Sequence, residues 1–249
     1  MSTPRPPQPD TPAANAFETH YAEVEPGLRI AYVREGIGGY PLVLLHGYPE
    51  TKRIWWRNIQ PLVEAGSEVI VPDLRGYGES DLSAKDEYDL VYYSEDTYKL
   101  VHGVLGHDKV GLIAGDVGGM VIVDMANRYP EFVDRMILFN TSPPFVPEEA
   151  EWYTAHGLSM IPLDDGPTGD YRVRQGSDPK ALRAELDTPE RCHRYVRDFY
   201  EHRLWASEGA FEEEDYAFMC EPFEDIDHLE ASWAVYQLSY GRAMKEMPK

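Results

Sequence analysis

The chain is poor in the residues that staple a fold, cross a membrane or grip a polyanion. Of its 249 residues only Cys192 and Cys220 are cysteines. Two are too few for a disulfide framework, so reduced thiols in a cytoplasmic protein are expected. No apolar run approaches the roughly 20 residues needed to span a bilayer. Basic residues are scarce as well, with 23 Lys and Arg against 44 Asp and Glu and a formal charge of -21. Binding to nucleic acid or to an anionic membrane surface needs clustered Lys and Arg, and this balance argues against both. The opening stretch "MSTPRPPQPDTPAANA" lacks the apolar run of a signal peptide and reads as a disordered, proline-rich arm over residues 1–16. Also missing is any Gly-x-Ser-x-Gly, the pattern that presents a serine nucleophile at a strand–helix corner.

What is present is enough to build a core: 43% of the residues are hydrophobic and 12% aromatic, within the globular range. "FETHYAEVEPGLRIAYVREG" predicts two strands joined at Pro26-Gly27. "PLVLLHGYPE" then carries an apolar run, Leu42 to Leu45, too continuous for a half-exposed strand and suited to one buried on both faces of a parallel sheet. A helix over Ile54 to Ala65 follows, then the strand of "SEVIVPDLRGYGES". Ser94 is read as the cap of a helix running to about Gly106. "KVGLIAG" reads as a strand, Val117 to Tyr129 as a helix and "VDRMILFN" as a strand. Strand and helix thus alternate over residues 41–140, the signature of a mostly parallel α/β sheet. Past Asn140 the texture changes. "TSPPFVP" reads as a linker, and no buried strand run follows it. Asp178-Pro179 and Thr188-Pro189 each set a capping residue before a proline suited to the first helical position. Cys192, Tyr195, Val196 and Phe199 fall on one helical face, and Ile226, Leu229, Trp233, Tyr236 and Tyr240 on another over about Ile226 to Arg242. The division is therefore a core over residues 17–140 and a helical layer over 141–249.

Three motifs lie where strands end. In "LIAGDVGGMVIVDMANRYP" a strand turns sharply into a helix, and Ala114, Gly118 and Gly119 are small around the tip residue, Asp116. Such a corner holds its central residue strained and exposed, and the helix N-terminus beneath it offers N–H groups to a developing anion. Simple helix capping by Asp116 is the bland alternative. The second motif, "HGYP", comprises His46, Gly47, Tyr48 and Pro49. Its loop can lend the N–H of Tyr48 to an oxyanion hole, paired with that of Val117. The third, "DLRGYGES" (Asp73 to Ser80), is read as a loop-ordering element without a chemical role.

Together these motifs resemble the α/β-hydrolase fold family over residues 17 to 242. Its members carry His-Gly-x-Pro, Asp-x-Arg-Gly-x-Gly-x-Ser and a small-x-nucleophile-x-small-small corner at similar spacing, and the helical segment is similar to their cap. Aspartate at the corner points to the epoxide hydrolase and haloalkane dehalogenase branch. A carboxylate that attacks an sp³ carbon leaves an ester that water can cleave, whereas a serine alkoxide would leave an ether. Dehalogenases of the family carry Trp directly after the nucleophile, where this chain has Val117. Fluoroacetate dehalogenases share "HGYP" but place Arg beside the nucleophile, which is also missing here. The resemblance therefore implies an epoxide hydrolase with Asp116 as nucleophile and two cap tyrosines as proton donors to the epoxide oxygen. Tyr153 and Tyr236 match those positions best, with Tyr171 the nearest competitor to Tyr153.

The family also implies parts that this sequence does not supply. Two further strands and a final helix follow the cap in its members, and they carry the catalytic histidine and its carboxylate partner. The expectation is a C-terminally truncated, epoxide-hydrolase-like chain with strands 1–6 only. It would be inactive or limited to a single turnover, and would have an apolar sheet edge near Met136 to Phe139 open to self-association. The expected partner is a small hydrophobic, epoxide-like substrate, with no cofactor and no metal. The alternatives are a haloalkane dehalogenase-like hydrolase and a catalytically dead binding or interaction protein.

Overall fold

The structure, a computed structural model, describes residues 13, 16–141, 171–203 and 211–240. Tyr153, His156 and most of the N-terminal arm lie outside them. Within the arm, Ala13 accepts a hydrogen bond from the Trp56 indole.

Six strands form one sheet. They are β1 (His20–Glu25), β2 (Leu28–Glu35), β3 (Tyr40–Leu45), β4 (Ser67–Pro72), β5 (Val110–Gly115) and β6 (Val133–Phe139), in the spatial order β1-β2-β4-β3-β5-β6. The β1–β2 and β2–β4 pairs are antiparallel; β3–β4, β3–β5 and β5–β6 are parallel. Gly27, at φ +80°, makes the β1–β2 turn, a conformation in which a Cβ would be strained. Along β3 the two-residue period splits the apolar run between two cores. Leu42 and Leu44 join Val33, Val69, Val71 and the residues of α1 (Trp56–Glu64) on one face. Val43 and Leu45 join Ile70 and, from α2 (Leu90–Tyr98) and α3 (Asp116–Arg128), Tyr93, Val121 and Ile122 on the other. Each such side chain contributes about 1.5–3 kcal/mol by leaving water, which is why a strand with no polar face is stable here.

The helix expected from Ser94 begins earlier. Asp89, in extended conformation, accepts from the N–H groups of Val91 and Tyr92 and is the true cap. Ser94 sits a turn inside, where its hydroxyl donates to the Leu90 carbonyl at 2.7 Å. Beyond α2 a wider turn over Lys99–Val104 carries the chain to Gly106, at φ +78°.

The third motif orders its loop through buried charge. Arg75, fully buried, donates to both carboxylate oxygens of Asp96 at 2.6 Å. Asp73 takes the Lys52 ammonium at 2.6 Å together with the backbone N–H groups of Lys52 and Glu79. Ions this deep survive only when their remaining donors and acceptors are also engaged. These bonds pin the loop after β4 to the loop after β3.

The described cap is helical: α4 (Tyr171–Ser177), α5 (Pro179–Glu185), α6 (Pro189–Asp198), α7 (Glu213–Cys220), α8 (Ile226–Ala231) and α9 (Ala234–Tyr240). Asp178 and Thr188 cap α5 and α6 ahead of their prolines, as expected. The single helix expected from Ile226 onward is broken at Ser232-Trp233. There the Ser232 hydroxyl bonds the Leu229 carbonyl, and the Ser232 carbonyl accepts from Tyr77 Oη at 3.0 Å. That bond draws the chain onto the core and fully buries Trp233. Cap residues Val196, Phe199, Phe223 and Tyr236 form one continuous hydrophobic cluster with Tyr48 and Tyr77 of the core. Strand β6 is the sheet edge among the described residues, and Met136, Ile137, Leu138 and Phe139 are 37–56% exposed. No described helix is long and apolar enough to cross a membrane.

Candidate active site

Asp116 is the first residue of α3, and its φ of +50° is unusual for a residue with a side chain. That left-handed backbone turns β5 abruptly into the helix. The Asp116 N–H donates to the Asn140 carbonyl at 3.0 Å, and its own carbonyl accepts from Thr141 Oγ1 at 2.8 Å. The corner tolerates no extra atoms. A Cβ on Gly118 would lie 2.5 Å from the His46 carbonyl oxygen, and one on Gly119 would lie 2.6 Å from Thr141 Cβ.

The loop after β3 closes over this corner. Tyr48 N–H donates to Asp116 Oδ1 at 2.8 Å, and the N–H of Val117 also reaches the Asp116 carboxylate. The two groups expected to form an oxyanion hole thus converge on the aspartate itself. Gly47 is obligatory here, since a Cβ on it would sit 2.5 Å from Asp116 Cβ. Burial raises the Asp116 pKa, while the two N–H groups and the Arg172 charge oppose that shift. The carboxylate is held by directional bonds that a helix-capping side chain would not need from another loop.

His46 is not available as a base. Its Nδ1–H donates to the Gly47 carbonyl and its Nε2 accepts from the Leu74 N–H, each at 3.0 Å. Burial lowers its pKa and keeps the ring neutral. It works as a brace between the two loops. The other histidines with described side chains are committed elsewhere. His20 packs on Tyr32, while His102 and His107 bond a carbonyl and Glu68. His193 bonds Glu224, and His228 faces the Gly76 carbonyl.

Glu50, one residue beyond the Pro49 of the motif, was not singled out by the sequence. Its Oε2 accepts from the Gly47 N–H at 2.9 Å. Desolvation lifts its pKa to about 7, with the Asp116 charge adding to the shift. Successive amides of one loop, Gly47 and Tyr48, are therefore each held by a carboxyl group. Only the fold reveals this, because nothing in "HGYPE" shows which way the Glu50 side chain turns.

Above the loop lies an aromatic cluster. The Tyr48 ring stacks on Tyr171 at 6.0 Å and 15°, and Tyr236 meets Tyr48 edge-on at 5.3 Å and Tyr171 at 5.6 Å. Tyr236 is buried and feels the Asp116 charge directly. Of the tyrosines considered, Tyr171 and Tyr236 are thus brought together beside the loop after β3. A pocket of about 320 Å³ opens beside them, lined by Tyr171, Leu182, Leu186, Tyr195, Phe199 and Arg194. A larger hollow of about 660 Å³ is bordered by Glu190, His193, Arg197 and Glu224. Those groups lie on α6 and, for Glu224, in the turn ahead of α8, rather than at the corner. Cys192 and Cys220 are buried free thiols, and no group of three or more metal-ligating side chains gathers among the described residues.

Comparison with known proteins adds a lineage. A family model described as alpha/beta hydrolase fold matches residues 40–211. The chain is 38% identical over 130 residues to a soluble epoxide hydrolase of Corynebacterium sp. (strain C12), covering 51% of this chain and 43% of that protein. It is 30% identical over 187 residues to bifunctional epoxide hydrolase 2 of Sus scrofa, covering 75% of this chain and 32% of that protein. It therefore spans less than half the length of either. Among solved structures, the ligand-free epoxide hydrolase CorEH superposes with a TM-score of 0.73 at 27% identity, covering 92% of this chain and 76% of that one.

Proposed function

The chain belongs to the α/β-hydrolase fold family, and from that premise we propose that its Asp116 opens an epoxide and becomes an alkyl ester. A carboxylate oxygen of Asp116 attacks a ring carbon, and the bond from that carbon to the ring oxygen breaks. The ring oxygen leaves as an alkoxide and takes a proton from a cap phenol. Tyr171 and Tyr236 fill that role in this reading, and Tyr153 lies outside the described residues. The observation that carries the proposal is the packing of those two rings around Tyr48, whose N–H holds Asp116 at 2.8 Å. The Tyr48 N–H holds Oδ1 in place, and the two N–H groups would later stabilise the oxyanion when water reaches the ester carbonyl. The pocket beside Tyr171 offers Leu182, Leu186, Tyr195 and Phe199 to a small hydrophobic epoxide, with charged side chains making up the other half of its lining. A halide reading has less support, because Val117 stands where dehalogenases carry a tryptophan and is buried in the core.

Release of the product needs a base. Of the histidines with described side chains, His46, His102, His107, His193 and His228 are each bonded to groups other than Asp116, and His20 packs on Tyr32. For these residues the proposal is therefore alkylation that persists as the ester. Incubation with an aryl epoxide followed by intact mass and peptide mapping tests it. The expected result is one equivalent of adduct at Asp116, absent in Asp116→Asn. Wild-type protein that neither gains mass nor forms diol would refute the alkylation, and steady diol production would refute the missing base.

A further inference from the structure

One buried amide lies outside everything the reaction itself requires. Gln175, on α4, is fully buried. Its Nε2 donates to Tyr48 Oη at 2.5 Å and to Tyr195 Oη at 2.7 Å, while its Oε1 is buried without a protein partner. Tyr48 belongs to the loop after β3 and Tyr195 to α6, so this side chain ties three separate elements together. Tyr171 stands four residues earlier, one turn away on the same face of α4. Its ring lies nearly parallel to that of Tyr48.

The amide satisfies the buried Tyr48 hydroxyl, which a leucine or methionine would strand, but it leaves its own buried acceptor without a partner, a loss of about 1–3 kcal/mol. What only the amide supplies is direction. Two N–H groups aimed at two phenols fix the rotation of α4 about its axis, and that rotation decides where the Tyr171 hydroxyl points. Turning the amide over would keep the bridge, with the phenols donating instead.

We propose that Gln175 is a positioning residue for epoxide opening: by bridging Tyr48 and Tyr195 it holds α4 so that the Tyr171 hydroxyl meets the departing ring oxygen. The inference rests on the reading that Asp116 is alkylated and that Tyr171 is a proton donor. Gln175 itself touches no reacting atom. In the step it serves, the Asp116–carbon bond forms, the carbon–oxygen bond breaks, and the phenol proton passes to the alkoxide. Water then returns a proton to the phenolate.

This role differs from a packing role in its dependence on the leaving group. A 1-bromoalkane alkylates Asp116 by expelling bromide, which needs no proton. In Gln175→Leu, adduct formation with styrene oxide is expected to slow about 10- to 100-fold, a fraction of the roughly 100- to 10,000-fold that a positioned general acid supplies. Alkylation by the bromoalkane is expected to stay within about twofold, as for any step without proton transfer. In a Tyr171→Phe background, Gln175→Leu should add no further loss, and this cycle decides alone if the bromoalkane proves inert. Tyr195→Phe, which removes only the outer tether, should give an intermediate loss and serves if Gln175→Leu does not fold. Thermal melts of each variant check for that. Equal losses with both electrophiles, or full additivity with Tyr171→Phe, would overturn the positioning role. If wild type reacts with styrene oxide and Gln175→Leu reacts at the same rate, only this inference falls. If wild type takes up neither electrophile at Asp116, the alkylation reading falls and takes this inference with it.

Discussion

Gly118→Ala sets two opposing effects against each other at the Asp116 corner. Alanine in place of glycine inside a helix is favourable by about 1 kcal/mol, and less near the first turn, where Gly118 sits. Against this, the new Cβ would lie 2.5 Å from the His46 carbonyl oxygen and 2.9 Å from that of Leu45. Both atoms are backbone at the end of β3 and cannot rotate away, so α3 and the loop must part by most of an ångström. Overpacking of this kind costs about 1–3 kcal/mol, which outweighs the gain in propensity. The net expectation is a loss of about 1–2 kcal/mol in urea unfolding. The loss of function should be larger, because the 2.8 Å bond from Tyr48 to Asp116 crosses the same gap. A misplacement near 1 Å costs about 100-fold in rate, read as the rate of adduct formation with an aryl epoxide. Gly103→Ala is the control: its Cβ would meet nothing within 4 Å, so it should be neutral or stabilising by up to about 1 kcal/mol. Wild-type stability together with a wild-type adduct rate in Gly118→Ala would refute the close-approach reasoning.

Other outcomes follow from single contacts. Asp96→Ala removes both short bonds from the fully buried Arg75, leaving it the Glu87 carbonyl at 3.2 Å and Glu25 at 3.7 Å, and should cost about 2–4 kcal/mol in chemical denaturation. Asp116→Asn should fold as wild type and take up no epoxide by intact mass. Tyr236→Phe should slow adduct formation by about 10-fold or more while leaving far-UV circular dichroism unchanged. Glu50 binds its proton more tightly folded, at a pKa of about 7, than at its ordinary value of 4.5. Its contribution to stability is therefore complete below about pH 4.5 and lost as the pH rises through 7. The loss is at most about 3 kcal/mol, and less because the side chain is partly exposed. Glu50→Gln, which still accepts from Gly47, should flatten that segment of the stability–pH curve.

The legible part of this protein is the part whose physics is local. The run Leu42 to Leu45, the turn at Pro26-Gly27 and the prolines after Asp178 and Thr188 each carry their reason within a few residues, and each element forms where the sequence places it. The Asp116 corner is of the same kind, since small neighbours at Ala114, Gly118 and Gly119 announce a tight strand–helix turn. Ser94 was misread because two capping side chains compete over Asp89 to Ser94, and the winner depends on where the preceding loop delivers the chain. The continuous last helix was misread because its break at Ser232 answers to the Tyr77 hydroxyl, 155 residues away.

By itself, then, the sequence determined the α/β alternation, the helical layer that follows it, and an aspartate presented at a corner with backbone donors nearby. Only the tertiary structure decided that the Tyr48 and Val117 N–H groups close on that aspartate, and that Glu50 turns back to Gly47. It also decided that Tyr171 and Tyr236 meet over the loop, among the tyrosines whose side chains are described. The physical reason is range. Backbone conformation and burial period are written in neighbouring residues, whereas the convergence of side chains from α4, α9 and the β3 loop depends on how the cap packs onto the sheet.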